Sequence, residues 1–282
     1  MYTSVGRQTR VLDATRDRTE ALLMVSRCAI VLALVMVAGC RQPEKGASLR
    51  DDGLRPSLSE ADRLRSSGHG DPVRLLANAK GGTPRLQIPL ACAQAGCVVR
   101  NFVDAEPGPG AKDHACGALT YDGHDGTDIL AASYEVMAGG VDVVAAAGGT
   151  VLRVRDEMPD ASIHIEGADT VKGREAGNAV VVGHGDGWET QYSHLRRGSV
   201  CVRPGDVVSA GQKLGVAGLS GHTEFVHLHF EVRKDGAPVD PYTGLAPGAR
   251  CGAGTPLWTK DALVALAYRP VALLHAGFVA GG

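Results

Sequence analysis

"FVHLHFEV", residues 225–232, decides the fold. Polar and apolar residues alternate through it, and a β-strand turns successive side chains to opposite faces. Val226, Leu228, Phe230 and Val232 therefore point one way, and His227, His229, Glu231 and Arg233 the other. The apolar set can fill a core. Two imidazoles on the opposite face must then converge on a cleft.

The surrounding chain reads in the same period. Apolar runs broken by glycine recur in "RLQIPLACAQAGCVVRNFVD" (85–104), "VDVVAAAGGTVLRVRD" (141–156), "NAVVVGHGDGWETQYSHL" (178–195) and "VCVRPGDVVSAGQKLGVAGL" (200–219). Short strands punctuated by turn residues mark an antiparallel all-β sheet or sandwich. The 38 glycines among 282 residues suit such a turn-rich core, and an aromatic share of 4% means that Val, Leu, Ala and Ile must build it. The folded body is expected over 84–245, with an exposed, groove-lining loop at 157–177. A C-terminal extension, 246–282, carries a short helix at 258–268 that Thr259 can cap.

The charge balance, 29 Lys and Arg against 31 Asp and Glu, supplies no field for nucleic acid or for an anionic membrane surface. Near the start, "MVSRCAIVLALVMVAGC" (24–40) has an Arg, an apolar run from Ala29 to Ala38 and a small residue before Cys40. That run is too short to span a bilayer, which takes roughly 20 apolar residues, and reads as a processed signal. Its ending, Val37-Ala38-Gly39-Cys40, resembles the lipobox of bacterial lipoproteins. The resemblance implies a signal sequence over 1–40, a lipid on Cys40 and an extracytoplasmic, membrane-anchored protein. Residues 41–83, polar and broken by Pro and Gly, then read as a tether. In an oxidising compartment the later cysteines 92, 97, 116, 201 and 251 can pair, Cys92 with Cys97 across a tight hairpin, although five is an odd number.

The chemistry lies in three short motifs. In "DGHDGTDI" (122–129), His124 and Asp128 are four apart and fall on one side of a shaped strand end. Imidazole and carboxylate are both zinc ligands, and His229 or His227 can supply a third. In "WETQYSHL" (188–195), a regular strand would put Trp188, Thr190, Tyr192 and His194 on one face. Glu231 is either a partner for a ligand's second nitrogen or an exposed strand carboxylate. Tyr192 either positions substrate or packs, Asn178 fixes a turn or lines the groove, and Asp122 and Asp125 read as ordinary turn carboxylates. His184 reads as a hairpin-tip residue with no ligand role, and His114, His164 and His222 as solvated loop residues, His222 near enough to rim the cleft.

Taken together, His124-Asp-Gly-Thr-Asp128, Tyr192-Ser-His194-Leu195 and His227-Leu-His229 resemble, in order, the motifs of the M23 family of zinc metallopeptidases, the LytM or lysostaphin-type endopeptidases. "GNAVVVGHGDGW" and "VRPGDVVSAGQKLGVAGLSG" match the Gly-rich strands between them, so the resemblance covers roughly 118–242. It implies an M23-like domain, one Zn2+ held by His124, Asp128 and His229, and two unliganded catalytic histidines, His227 and His194. It also implies a substrate, the peptide stems or cross-bridges of bacterial peptidoglycan. Phe225-Val226 stands where family members commonly read Gly-Pro, which removes no ligand. Two rival readings stay open: a non-catalytic murein-binding or amidase-activating lipoprotein, and a β module whose zinc is closed off by four ligands.

Overall fold

A computed structural model describes residues 82–92 and 96–270. The signal and lipobox with Cys40, and the tether up to residue 81, lie outside the described residues. Among the described residues, no helix is long and apolar enough to cross a membrane.

The strands run β1 (Cys97–Asn101), β2 (Thr127–Ala131), β3 (Asp142–Val144), β4 (Gly149–Arg155), β5 (Asn178–Gly185), β6 (Trp188–Leu195), β7 (Val207–Val208), β8 (Lys213–Val216), β9 (Leu228–Lys234) and β10 (Ala237–Pro238). One sheet has the order β1-β2-β9-β6-β5-β4-β7, with β10 paired to β9, and a second consists of β3 and β8. Every ladder is antiparallel, as the alternating runs predict. The first half of 85–104 forms no strand; it contributes only isolated bridges, Leu86 to Trp258 and Leu90 to Val143.

The core is filled by one face of β9 and its neighbours. Leu228, Phe230 and Val232 are buried there with Val180, Val182, Tyr192, Leu195 and Ile129. The C-terminal segment packs into the same core through Leu257, Trp258, Ala262 and Leu266, and the Trp258 ring centroid lies 5.4 Å from that of Phe230. Its helix, α3 (Lys260–Ala265), starts where the Thr259 hydroxyl accepts a hydrogen bond from Ala262 N, which satisfies one of the N–H groups that a helix start leaves open. Helix α1 (Tyr134–Gly139) is capped in the same way by Ser133. The loop 157–177 carries a single helical turn, α2 (Ile163–Glu166), and a 3-10 turn, Ala168–Val171.

Two disulfides tie down the flanks. Cys92–Cys97 staples the start of β1 as expected, and Cys116–Cys251 fastens the C-terminal segment to the chain leading into the first motif. Cys201 is not a free thiol either.

Candidate metal centre

Register brings the first and third motifs together. Across the β2–β9 ladder, Asp128 stands opposite His229, and across β6–β9 His229 stands opposite Ser193. His124 precedes β2 and folds back over it, held by the hydrogen bond from Asp104 N to its carbonyl, 2.7 Å. Gly126 makes room for this arrangement: a Cβ there would lie 2.5 Å from both Cε1 and Nε2 of His229.

Three donor atoms form a small triangle. His124 Nε2 lies 3.2 Å from Asp128 Oδ1 and 3.3 Å from His229 Nδ1, and His229 Nδ1 lies 3.0 Å from Asp128 Oδ1. Ligand atoms about 2.0–2.1 Å from a tetrahedral zinc stand about 3.3 Å apart, so the triangle has the dimensions of one face of such a site. His124 and Asp128 are buried and His229 is nearly so. The donor set fits a single Zn2+. His227 Nε2 reaches within 3.4 Å of Asp128 Oδ1 but is not among the mutually close donors.

Each imidazole is oriented by its outer nitrogen. His124 Nδ1 meets Phe102 O at 2.7 Å, His194 Nδ1 meets Ser220 O at 2.8 Å and His227 Nδ1 meets Phe225 O at 2.9 Å. A carbonyl only accepts, so in all three rings Nδ1 carries a proton and Nε2 is the nitrogen turned inward. His229 is reversed: Nδ1 faces the triangle and Nε2 lies 3.4 Å from Asp125 Oδ1. Asp125, expected as a turn carboxylate, thus stands behind a candidate ligand. Asp128 is fixed likewise, its Oδ2 accepting from Asn101 Nδ2 at 2.8 Å.

The electrostatics call for a cation. Burial works against ionisation of Asp128, yet His124 and His227 outweigh it and hold the carboxyl well below the usual range. Burial also disfavours charge on His229, but hydrogen bonds to Asp125 and Asp128 push it up to about 10. A proton held that firmly between two carboxylates marks a place where positive charge is stabilised. His194 goes the other way: burial first, then the His227 and His229 rings, holds it well below the usual imidazole range, so it is neutral near pH 7.

His194 reaches the site by a route that its sequence position hides. It does not share a face with Trp188, Thr190 and Tyr192. Between the pairs Val180–Tyr192 and Asn178–Leu195, β6 has one residue more than β5, and His194 takes a left-handed φ of 60°. This bulge turns the imidazole to the cleft, its ring centroid 4.9 Å from that of His227, while Tyr192 stays in the core and donates its hydroxyl to nobody in the cleft: Tyr192 Oη accepts from Ala146 N at 2.7 Å. A histidine at positive φ is uncommon and costs energy, which the hydrogen bonds from His194 N to Ala176 O and from Gly218 N to His194 O, both 2.9 Å, offset.

The other polar residues sort as follows. Glu231 is not exposed: it is buried against Arg233, with a carboxylate oxygen within 4.8 Å of donor atoms of Asp125 and His229, and burial first, then Asp125, pushes its carboxyl up to about 7 against the pull of that guanidinium. Asn178 fixes a turn, accepting from Met158 N and donating to Met158 O. His184 is a packed residue bonded to Gly148 O and Thr190 Oγ1. His114, expected in solvent, stacks on Tyr242 with centroids 4.5 Å apart. His222 rims the cleft, a space of about 290 Å³ lined by Tyr121, Glu175, Gln191, His194, His222 and His229. Loop 157–177 reaches this groove through Glu175 and Ala176.

The profile of peptidase family M23 matches residues 122–241. A DD-carboxypeptidase/endopeptidase, Mpg, of Neisseria meningitidis is 38% identical over 84 residues, 29% of this chain and 19% of that protein. A lipoprotein NlpD/LppB homolog of Pseudomonas aeruginosa is 35% identical over 102 residues, 36% of this chain and 28% of that protein. The chain thus spans less than a third of the length of either relative. A chain of the SpoIIQ–SpoIIIAH pore-forming complex superposes with a TM-score of 0.41 at 23% identity, covering 59% of this chain and 94% of that one.

Proposed function

Because residues 122–241 belong to peptidase family M23, we propose that this chain is a zinc-dependent endopeptidase that hydrolyses peptide bonds in bacterial peptidoglycan. His124, Asp128 and His229 are the ligands in this reading, and His227 and His194 the catalytic histidines. The observation that carries it is the triangle of three donors, with His227 Nε2 3.4 Å from Asp128 Oδ1 and the His194 ring centroid 5.8 Å from that of His229. Three protein ligands leave a tetrahedral ion one open position, which separates a catalytic site from a closed structural one. When bound, zinc supplies a Lewis acid that polarises a carbonyl and makes water a nucleophile near neutral pH.

The protein's own groups then divide the work. His227, its Nδ1–H anchored on Phe225 O, offers Nε2 as the acceptor for the proton of the attacking water and returns that proton to the leaving amine. His194 is neutral with Nδ1–H on Ser220 O, so its Nε2 accepts a hydrogen bond and orients the water. The residues over 84–245 form the catalytic domain in this reading, and 246–282 its extension. Lipidation of Cys40 places it on the extracytoplasmic side of a membrane, where the oxidising conditions that maintain disulfides prevail.

Zinc stoichiometry and mass spectrometry of products from defined muropeptides test the proposal. The protein is expected to bind close to one zinc and cut a peptide bond; His229→Ala loses both metal and cleavage, and His227→Ala keeps the metal and loses cleavage. Failure to bind zinc, or full cleavage by His227→Ala, would overturn it. Binding to sacculi with no cleavage would assign the non-catalytic role instead.

A further inference from the structure

The outer atoms of two candidate ligands are held by consecutive residues from outside the matched family region. Asn101 Nδ2 donates to Asp128 Oδ2 at 2.8 Å, and Phe102 O accepts from His124 Nδ1 at 2.7 Å. Two residues on, Asp104 N donates to His124 O at 2.7 Å, and Asp104 Oδ2 accepts from Gly123 N at 3.0 Å. All four contacts come from the end of β1 and the segment after it, whereas the family match begins at residue 122. We infer that residues 101–104 are a built part of the metal centre and that Asn101 is a positioning residue for zinc.

The reason lies in what a buried carboxylate does without a partner. Asp128 is 2% exposed, so water cannot serve its second oxygen. Asn101 serves it and fixes the carboxyl plane, so that Oδ1 alone faces His124 and His229. Removing the donor leaves Oδ2 buried and unpaired, which favours rotation of the carboxyl out of the plane that turns Oδ1 to the other two ligands. Outer contacts of this kind typically carry 10–100-fold in metal affinity. A ladder irregularity between Val99 and Asn101 aims the amide at Asp128, and the Cys92–Cys97 staple fixes the strand a few residues upstream.

The inference rests on the zinc-site reading, and zinc binding by the unaltered protein tests that reading separately. Asn101→Leu keeps the volume and removes the donor; Asn101→Ala removes both. Zinc affinity is measured by chelator competition, and the melting temperature on metal-stripped protein. Both variants are expected to bind zinc about 10–100-fold more weakly, and their metal-free melting temperatures to fall by about 2–10 °C, because Oδ2 is left unpaired with or without the ion. Affinity within twofold of the unaltered protein in either folded variant would overturn the inference. So would a metal-free melting temperature that falls while affinity is kept, which would make Asn101 a stitch between β1 and β2 and nothing more.

Discussion

Replacing Gly126 by alanine is the sharpest probe of the site, because it adds one methyl group at a position where the backbone itself tolerates it. Gly126 is not among the glycines with positive φ, so the substitution carries no backbone strain. The new Cβ would sit 2.5 Å from Cε1 and Nε2 of His229 and 3.0 Å from Phe230 O. An ordinary contact of this kind is about 3.5 Å, so the imidazole must retreat by about 1 Å. The donor triangle has edges of 3.0–3.3 Å, and a displacement of about 1 Å in one ligand is enough to cost two orders of magnitude where geometry governs function. Gly126→Ala should therefore bind zinc at least about 100-fold more weakly, beyond the usual loss of an outer contact. Chelator competition measures the affinity, and circular dichroism confirms that the sheet persists. Unaltered zinc affinity in a folded Gly126→Ala protein would show that His229 is not held where the triangle requires it.

Two further outcomes concern stability. Asp240 is buried with Oδ2 unpartnered, and burial, aided by the charge of Asp113 and opposed by the bond from Tyr242 N, pushes its carboxyl up from 3.8 to about 7. The folded state thus keeps a proton that the unfolded chain has lost, so this contribution is complete below about pH 4 and disappears as pH rises through about 7, up to about 4 kcal/mol in all. Denaturant unfolding should show Asp240→Asn flattening that decline between pH 5 and 8, and an unchanged slope would refute it. The Cys116–Cys251 bridge closes a sequence separation of 135 residues and Cys92–Cys97 one of 5, so loop-closure entropy assigns about 5 and about 2 kcal/mol respectively. Replacing each pair by serine and comparing denaturation midpoints should rank them in that order; the reverse ranking would mean that residual order in the unfolded chain, not loop length, sets their worth.

What could be read from the chain beforehand was whatever depends on short-range period. The alternation in 225–232 gave the correct faces for Leu228, Phe230 and Val232 against His229, Glu231 and Arg233, because a strand has no freedom to do otherwise. The spacing of His124 and Asp128 likewise anticipated their meeting. His194 was placed on the wrong face because a bulge is a two-strand property: the additional residue on β6 is defined only against β5. Asn101 was not singled out and Asp125 was read as a turn carboxylate for a related reason, since their partners lie 27 and 104 positions away; Glu231 and Arg233 were placed on one face, but their burial as a pair depends on the strands around them. The burial of Trp258 beside Phe230 is of the same kind.

The opposition of Asp128 and His229 across two neighbouring strands means that the metal centre also reads out how those strands are aligned. Were β2 to slide past β9 by a single position, every side chain on it would exchange faces, and the carboxylate would turn into the apolar layer while an isoleucine or threonine took its place beneath the imidazoles. An ion bound across this ladder would then act as a proofreader during folding, since only one alignment offers it all its donors and misaligned pairings gain nothing from its presence.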